Sequence, residues 1–145
     1  MLRMLIGALA LMATACADLP RDPERTEALV RESGTIRLGW VTGAEPEPAA
    51  AAALQKVSSA IGAQVERREG DSEALLADLE DGKIDLVFGA FAMASPWHKK
   101  VHLGRALSYR AEPPGHVAAP RFAYRNGENG WIMRVEQAAQ KAQTQ

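Results

Sequence analysis

Two periods alternate along this chain. Thr35 to Val41 carries Ile36, Leu38 and Trp40 at every second position, the spacing of a strand with one buried face. Pro48 to Ile61 carries Ala50, Ala53, Leu54, Val57 and Ile61 at three- and four-residue spacings, the stripe of a helix that Gly62 stops. Gln64 to Glu69 has only Val65 as a strongly apolar residue and predicts an edge strand, where charges discourage strand addition. Leu75, Leu76 and Leu79 follow a cap at Asp71 or Ser72 and predict a third helix, closed by Gly82. Ile84 to Gly89 is a nearly continuous apolar run, the mark of a fully buried central strand in a parallel sheet. The small residues Gly89 and Ala90 predict open room at its carboxyl end.

The remaining elements are read the same way. Asp22-Pro23-Glu24 opens a first helix, with Asp22 as N-cap, and Gly34 ends it. Phe91 to Trp97 reads as a loop, and Lys99 to Ser108 as a further strand. Ala111-Glu112-Pro113-Pro114-Gly115 is a clear break. His116 to Ala119 predicts a last strand. A C-terminal helix follows, capped by Glu128 and Asn129, burying Trp131, Ile132, Val135 and Ala138 or Ala139; the tail from Lys141 should fray. Helices and strands alternating in this order predict an α/β fold, a three-layer open and mostly parallel sheet with helices on both faces. In such sheets a ligand crevice lies outside the carboxyl ends of the strands. The candidate ligand-binding residues there are Trp40, Glu45, Phe91, Ser95 and Trp97.

The first residues read differently. Arg3 precedes the apolar run Leu5 to Met12, too short to span a bilayer, and Ala13-Thr14-Ala15 supplies the small residues of a processing site. Residues 1–15 are therefore expected to be an export signal, and the product to be periplasmic. Cys16 follows, the only cysteine of the chain, so no internal disulfide framework exists. Its position resembles a bacterial lipobox, with Ala13 where Leu is usual. That implies lipidation of Cys16 and a membrane anchor, since two or three acyl chains hold stably where one does not. Ordinary cleavage after Ala15, leaving a free thiol, is the alternative. Residues 17–21 would form a tether, 22–141 a single lobe, and 142–145 the frayed tail.

The formal net charge is −1, and losing residues 1–15 removes only Arg3 and leaves −2. No basic stripe marks a nucleic-acid partner. About 130 mature residues suffice for one core and not for two.

Gly34-Thr35-Ile36-Arg37-Leu38-Gly39 resembles the opening strand of type 2 periplasmic solute-binding proteins, the extracytoplasmic subunits of ABC importers for amino acids and similar solutes. Ile61 to Glu66 is similar to that family's turn into its second strand. Leu75-Leu76-Ala77-Asp78-Leu79 with Gly82-Lys83-Ile84-Asp85-Leu86-Val87 carries the most specific likeness. The resemblance runs from about Asp22 to Tyr109 and implies one lobe of a bilobal fold, the break at Ala111 to Gly115 standing where the second lobe is inserted. It implies a small-solute partner, an ABC permease, and pairing with a second copy to complete a cleft. Family members carry a Thr and, three residues on, an Arg after the central strand. Here those places hold Ala94 and Trp97, or one along, Ser95 and His98, and neither register supplies a guanidinium.

Other chemistry has little to stand on. His98 and His102 are four apart but fall on a loop and a strand, too far apart to share an ion; His116 is isolated, so no metal and no cofactor is expected. Asp85 begins its strand and is expected to secure a turn, while Glu45 and Glu47 sit between prolines at the crevice mouth. Ser58, Ser59, Ser72 and Ser108 lack a nucleophile motif, so catalysis is not expected. Two readings stay open: a lipid-anchored lobe that binds a small solute weakly or as a dimer, and a noncatalytic interaction module that has lost solute binding and contacts a partner around Phe91 and Trp97.

Overall fold

Local punctuation fixes the first half of the molecule. A computed structural model describes residues 22–144; the expected signal segment, Cys16 and the tether lie outside the described residues. Helix α1 spans Thr26–Ser33 and ends at Gly34, whose φ of 69° turns the chain into strand β1, Thr35–Val41. Pro46 and Pro48 bar a continuation of β1, and Pro48 starts helix α2, Pro48–Ile61. Strand β2 (Gln64–Gly70) follows; Asp71 then caps helix α3 (Ser72–Glu80) through the backbone N–H groups of Glu73 and Ala74.

Strand β3 covers Leu86–Phe91, two residues later than its apolar run begins. Ile84 and Asp85 are buried but serve the turn before it. Asp85 does more than hold that turn. Its carboxylate accepts from the backbone N–H of Arg37 at 2.8 Å and pairs with the Arg37 guanidinium at 2.6 Å, so it ties β1 to the entry of β3. That contact raises the Arg37 pKa, chiefly through the hydrogen bond to Asp85.

After β3 come a 3-10 turn at Pro96–Lys99 and a short strand β4, Val101–Leu103. The expected strand to Ser108 therefore stops early, because Gly104 turns the chain away. The last strand is also displaced. Strand β5 spans Ala119–Arg125, starting where His116 to Ala119 was expected to end. Helix α4 spans Asn129–Gln143 and continues into the tail expected to fray.

The sheet order is β2-β1-β3-β5-β4. β1 pairs parallel with β2 and β3, while β5 runs antiparallel to both β3 and β4. Four strands thus share one direction. Helices cover both faces. On one, Ile36, Leu38, Trp40, Phe88 and Phe122 pack under α2 and α4; on the other, Val87, Phe91, Val101 and Ala123 pack under α3. Trp40 and Phe88 lie 4.4 Å apart, and Phe88 meets Phe122 edge-on at 5.6 Å. Each aromatic pair is worth about 1 kcal/mol beyond burial.

The caps depart from local expectation. Asp22 does not cap α1: its Oδ1 accepts from the backbone N–H of Gly130 and Trp131 in α4. Glu128, expected to cap α4, instead accepts from the N–H groups of Glu24 and Thr26 at the start of α1. Both helices begin at the same end of the sheet, and each chain entry reaches across to the other.

Candidate functional site

The chain beyond the carboxyl end of β4 runs along one edge of the sheet. There the segment from Gly104 to Glu112 runs beside α4 and the first turn of α2, leaving an open groove of about 1250 Å³. Ala106, Tyr109, Ile132 and Met133 line it, with Glu47, Arg105, Glu112 and Glu136 bringing charge. Met93, Tyr109 and Met133 are exposed apolar side chains at this groove.

The segment is held at several points. Ser108 adopts a left-handed φ of 62°, and its hydroxyl donates to Glu47. Glu136 accepts from the backbone N–H of Arg105 at 3.1 Å and from the Tyr124 hydroxyl at 2.5 Å. Burial first, and then the charge and hydrogen bond of Glu136, push the Tyr124 phenol well above its ordinary pKa. A Cβ at Gly104 would lie 2.2 Å from Glu136 Oε1, so a larger residue there would push the Glu136 carboxylate aside.

Behind the groove stands Arg121, fully buried. Its guanidinium donates to the carbonyls of Phe91 and Gly104 and meets Glu112 at 2.6 Å. Glu112 and Glu136 carry no local sequence signal that marks them as site residues. The available signal for Arg121 was a lone cation inside the apolar run Ala118 to Tyr124.

The five residues expected at the crevice do not come together. Trp40 faces the α2 and α4 layer, with Nε1 donating to the Ala44 carbonyl at 3.2 Å and Arg67 stacked 4.0 Å over its ring. Phe91 faces the opposite layer and is buried. Its ring and Val41 fill the space beside Gly89, so the predicted opening is closed by the protein's own side chains. Ser95 caps the 3-10 turn by accepting from the Trp97 N–H at 3.3 Å. Trp97 is half-buried; its Nε1 donates to Glu73 at 2.8 Å, which fastens the turn to α3. Glu45 is exposed. None of the five lines the groove.

The histidines are separate. His98 Nδ1 lies 2.6 Å from the Ser95 carbonyl, and the His102 ring sits 5.9 Å from Tyr124. Among the described residues no group of three potential metal ligands occurs.

No family model matches the chain, and no curated protein matches it in sequence. Solved structures do share its fold. One is a point mutant of the arginine-bound form of domain 1 of the arginine-binding protein of T. maritima, at TM-score 0.64 and 12% identity, covering 82% of this chain and 99% of that one. Another is an ancestral cationic amino acid solute binding protein, at TM-score 0.64 and 11% identity, with coverage of 82% and 94%. A third is an amino acid ABC transporter substrate-binding protein from Streptococcus pneumoniae bound to L-arginine, at TM-score 0.64 and 10% identity, with coverage of 82% and 92%. At such identities the likeness is one of fold: the chain has the α/β architecture of a single solute-binding-protein lobe.

Proposed function

We propose that this protein is an exported, lipid-anchored solute-binding domain of one lobe, which holds a small solute weakly, alone or between two copies, for an ABC importer. The observation that carries the reading is the match of one lobe with isolated domain 1 of the T. maritima protein, a structure described as arginine-bound. The groove beside edge strand β4 supports it, being a concave surface lined by both apolar and charged side chains. An open groove buries only part of a solute, and modest affinity follows. The reading is noncatalytic: the Ser58 hydroxyl, for one, is bonded to the Ala63 carbonyl at 2.5 Å. Diacylated Cys16 would keep the lobe at a periplasmic membrane surface.

A second reading, an interaction module at the membrane, is favoured by one observation. Among the described residues, three of the four exposed large apolar side chains, Met93, Tyr109 and Met133, gather at the groove. Phe91 is buried and Trp97 is half-buried and bonded to Glu73, so a partner face lies at the groove rather than around them.

A thermal-shift screen of small solutes, run beside light scattering, separates the two. Saturable stabilisation by a solute is expected for the first; a flat screen with concentration-dependent association would favour the second. Intact mass of the mature N-terminus tests acylation of Cys16, and an unmodified thiol there would remove the anchor.

A further inference from the structure

Arg121 is a cation that cannot reach solvent, and its guanidinium is incompletely satisfied. Nε donates to the Phe91 carbonyl at 2.9 Å and Nη1 to the Gly104 carbonyl at 2.7 Å. Nη1 also meets Glu112 Oε1 at 2.6 Å. Nη2 has no hydrogen-bond partner among the described residues. A guanidinium offers its donors as a planar fork that matches both oxygens of one carboxylate. Glu112 gives it one oxygen only. Its Oε2 is turned away to accept from the backbone N–H of Ala106 at 3.1 Å.

The two partners also differ in mobility of access. The Arg121 side chain is 0% exposed and that of Glu112 is 43% exposed. Arg121 sits within β5 and is held by the carbonyls of Phe91, the last residue of β3, and Gly104, the residue after β4, whereas Glu112 belongs to the irregular chain between β4 and β5 and lines the groove. A buried cation with an idle donor is costly to leave so, and the group that shields it comes from the solvent side.

We infer that Arg121 is a carboxylate-binding site and that Glu112 is its tethered occupant, displaced when a small carboxylate enters from the groove and engages both Nη1 and Nη2. The inference rests on the reading of this lobe as a binder of small solutes, and it adds the ligand chemistry and its regulation. Tethering gives the Glu112 carboxylate a high effective concentration at the cation. An external carboxylate therefore binds only to the fraction of molecules in which Glu112 has swung out, and its apparent affinity falls by that fraction. Breaking the tethered contact raises affinity without adding any contact to the ligand.

The test is calorimetric titration of the full chain with acetate and succinate, with methylammonium as control, in wild type and E112Q. Glutamine keeps the size of the side chain and its bond from Ala106. E112Q is expected to bind acetate at least tenfold more tightly than wild type, with no response to methylammonium. Equal affinities in the two proteins, or no binding in either, would overturn the proposal. A second readout needs no variant: NMR of wild type at high acetate is expected to shift the Arg121 guanidinium signals together with the Ala106 amide as Glu112 leaves. Signals that stay fixed while acetate saturates would be equally fatal. Failure of the broader reading looks different. A solute that stabilises wild type and E112Q alike without moving Arg121 leaves solute binding standing and removes this site; acetate taken up by E112Q alone, with a flat solute screen for wild type, does the reverse.

Discussion

Asp22 and Glu128 exchange caps: Asp22 accepts from N–H groups in the first turn of α4, and Glu128 from the first N–H of α1 and from Glu24 just before it. Asp22 Oδ1 lies 2.7 Å from the Gly130 nitrogen, and the two Glu128 oxygens lie 2.7 and 2.8 Å from the nitrogens of Glu24 and Thr26. Negative charge at a helix N-terminus also complements the helix dipole. The exchange locks the first described residues onto the last helix. E128A leaves two N–H groups unsatisfied around a buried site and should lower unfolding free energy by about 2 kcal/mol. D22A should cost about 1 kcal/mol. Urea unfolding measures both, and a loss below about 0.5 kcal/mol for E128A would show the cap to be idle.

The closed space beside Gly89 makes a second prediction. An added methyl would stand 2.6 Å from Val41 Cγ2 and 2.9 Å from Phe91 Cζ. G89A should therefore destabilise the fold by about 1–3 kcal/mol. In a V41A background the nearest clash is gone, so the same substitution should cost less. Equal costs in the two backgrounds, measured by a double-mutant cycle, would refute the packing argument.

Phe91 also shows where reading the chain succeeds and where it stops. β1 and α2 were legible to the residue because Gly34, Pro48 and Gly62 act within a few positions of the boundaries they set. The room expected at Gly89 was not, because the ring that fills it folds back from a neighbour in sequence whose direction depends on the opposite layer. β5 was misplaced for a similar reason. Pro120 and Arg121 look like breakers, yet Pro120 is only the second residue of the strand, and Arg121 is held by carbonyls of Phe91 and Gly104 that lie far away in sequence. The exchanged caps join residues about a hundred positions apart, which no local signal encodes. The groove itself is made by the segment after β4, where apolar periodicity is weakest.

Alkaline pH should expose the Tyr124–Glu136 contact. Folding raises the phenol's pKa above its ordinary 10.0, through burial and then through Glu136. An unfolded chain ionises this tyrosine first, so the stabilisation is complete below about pH 10 and is lost as pH climbs toward the folded value. Y124F should cost about 1 kcal/mol near neutrality and should flatten the fall in stability above about pH 10. An unchanged alkaline slope in Y124F would place the effect elsewhere.

The most direct test of the account is an amide NMR titration of the protein with amino acids and small organic acids, because it reports whether a lone lobe binds and where. Binding at the groove predicts saturable shifts concentrated from Gly104 to Glu112 and along the facing turns of α4. Shifts confined to the α3 face around Trp97, or no saturable shift with any solute, would contradict it.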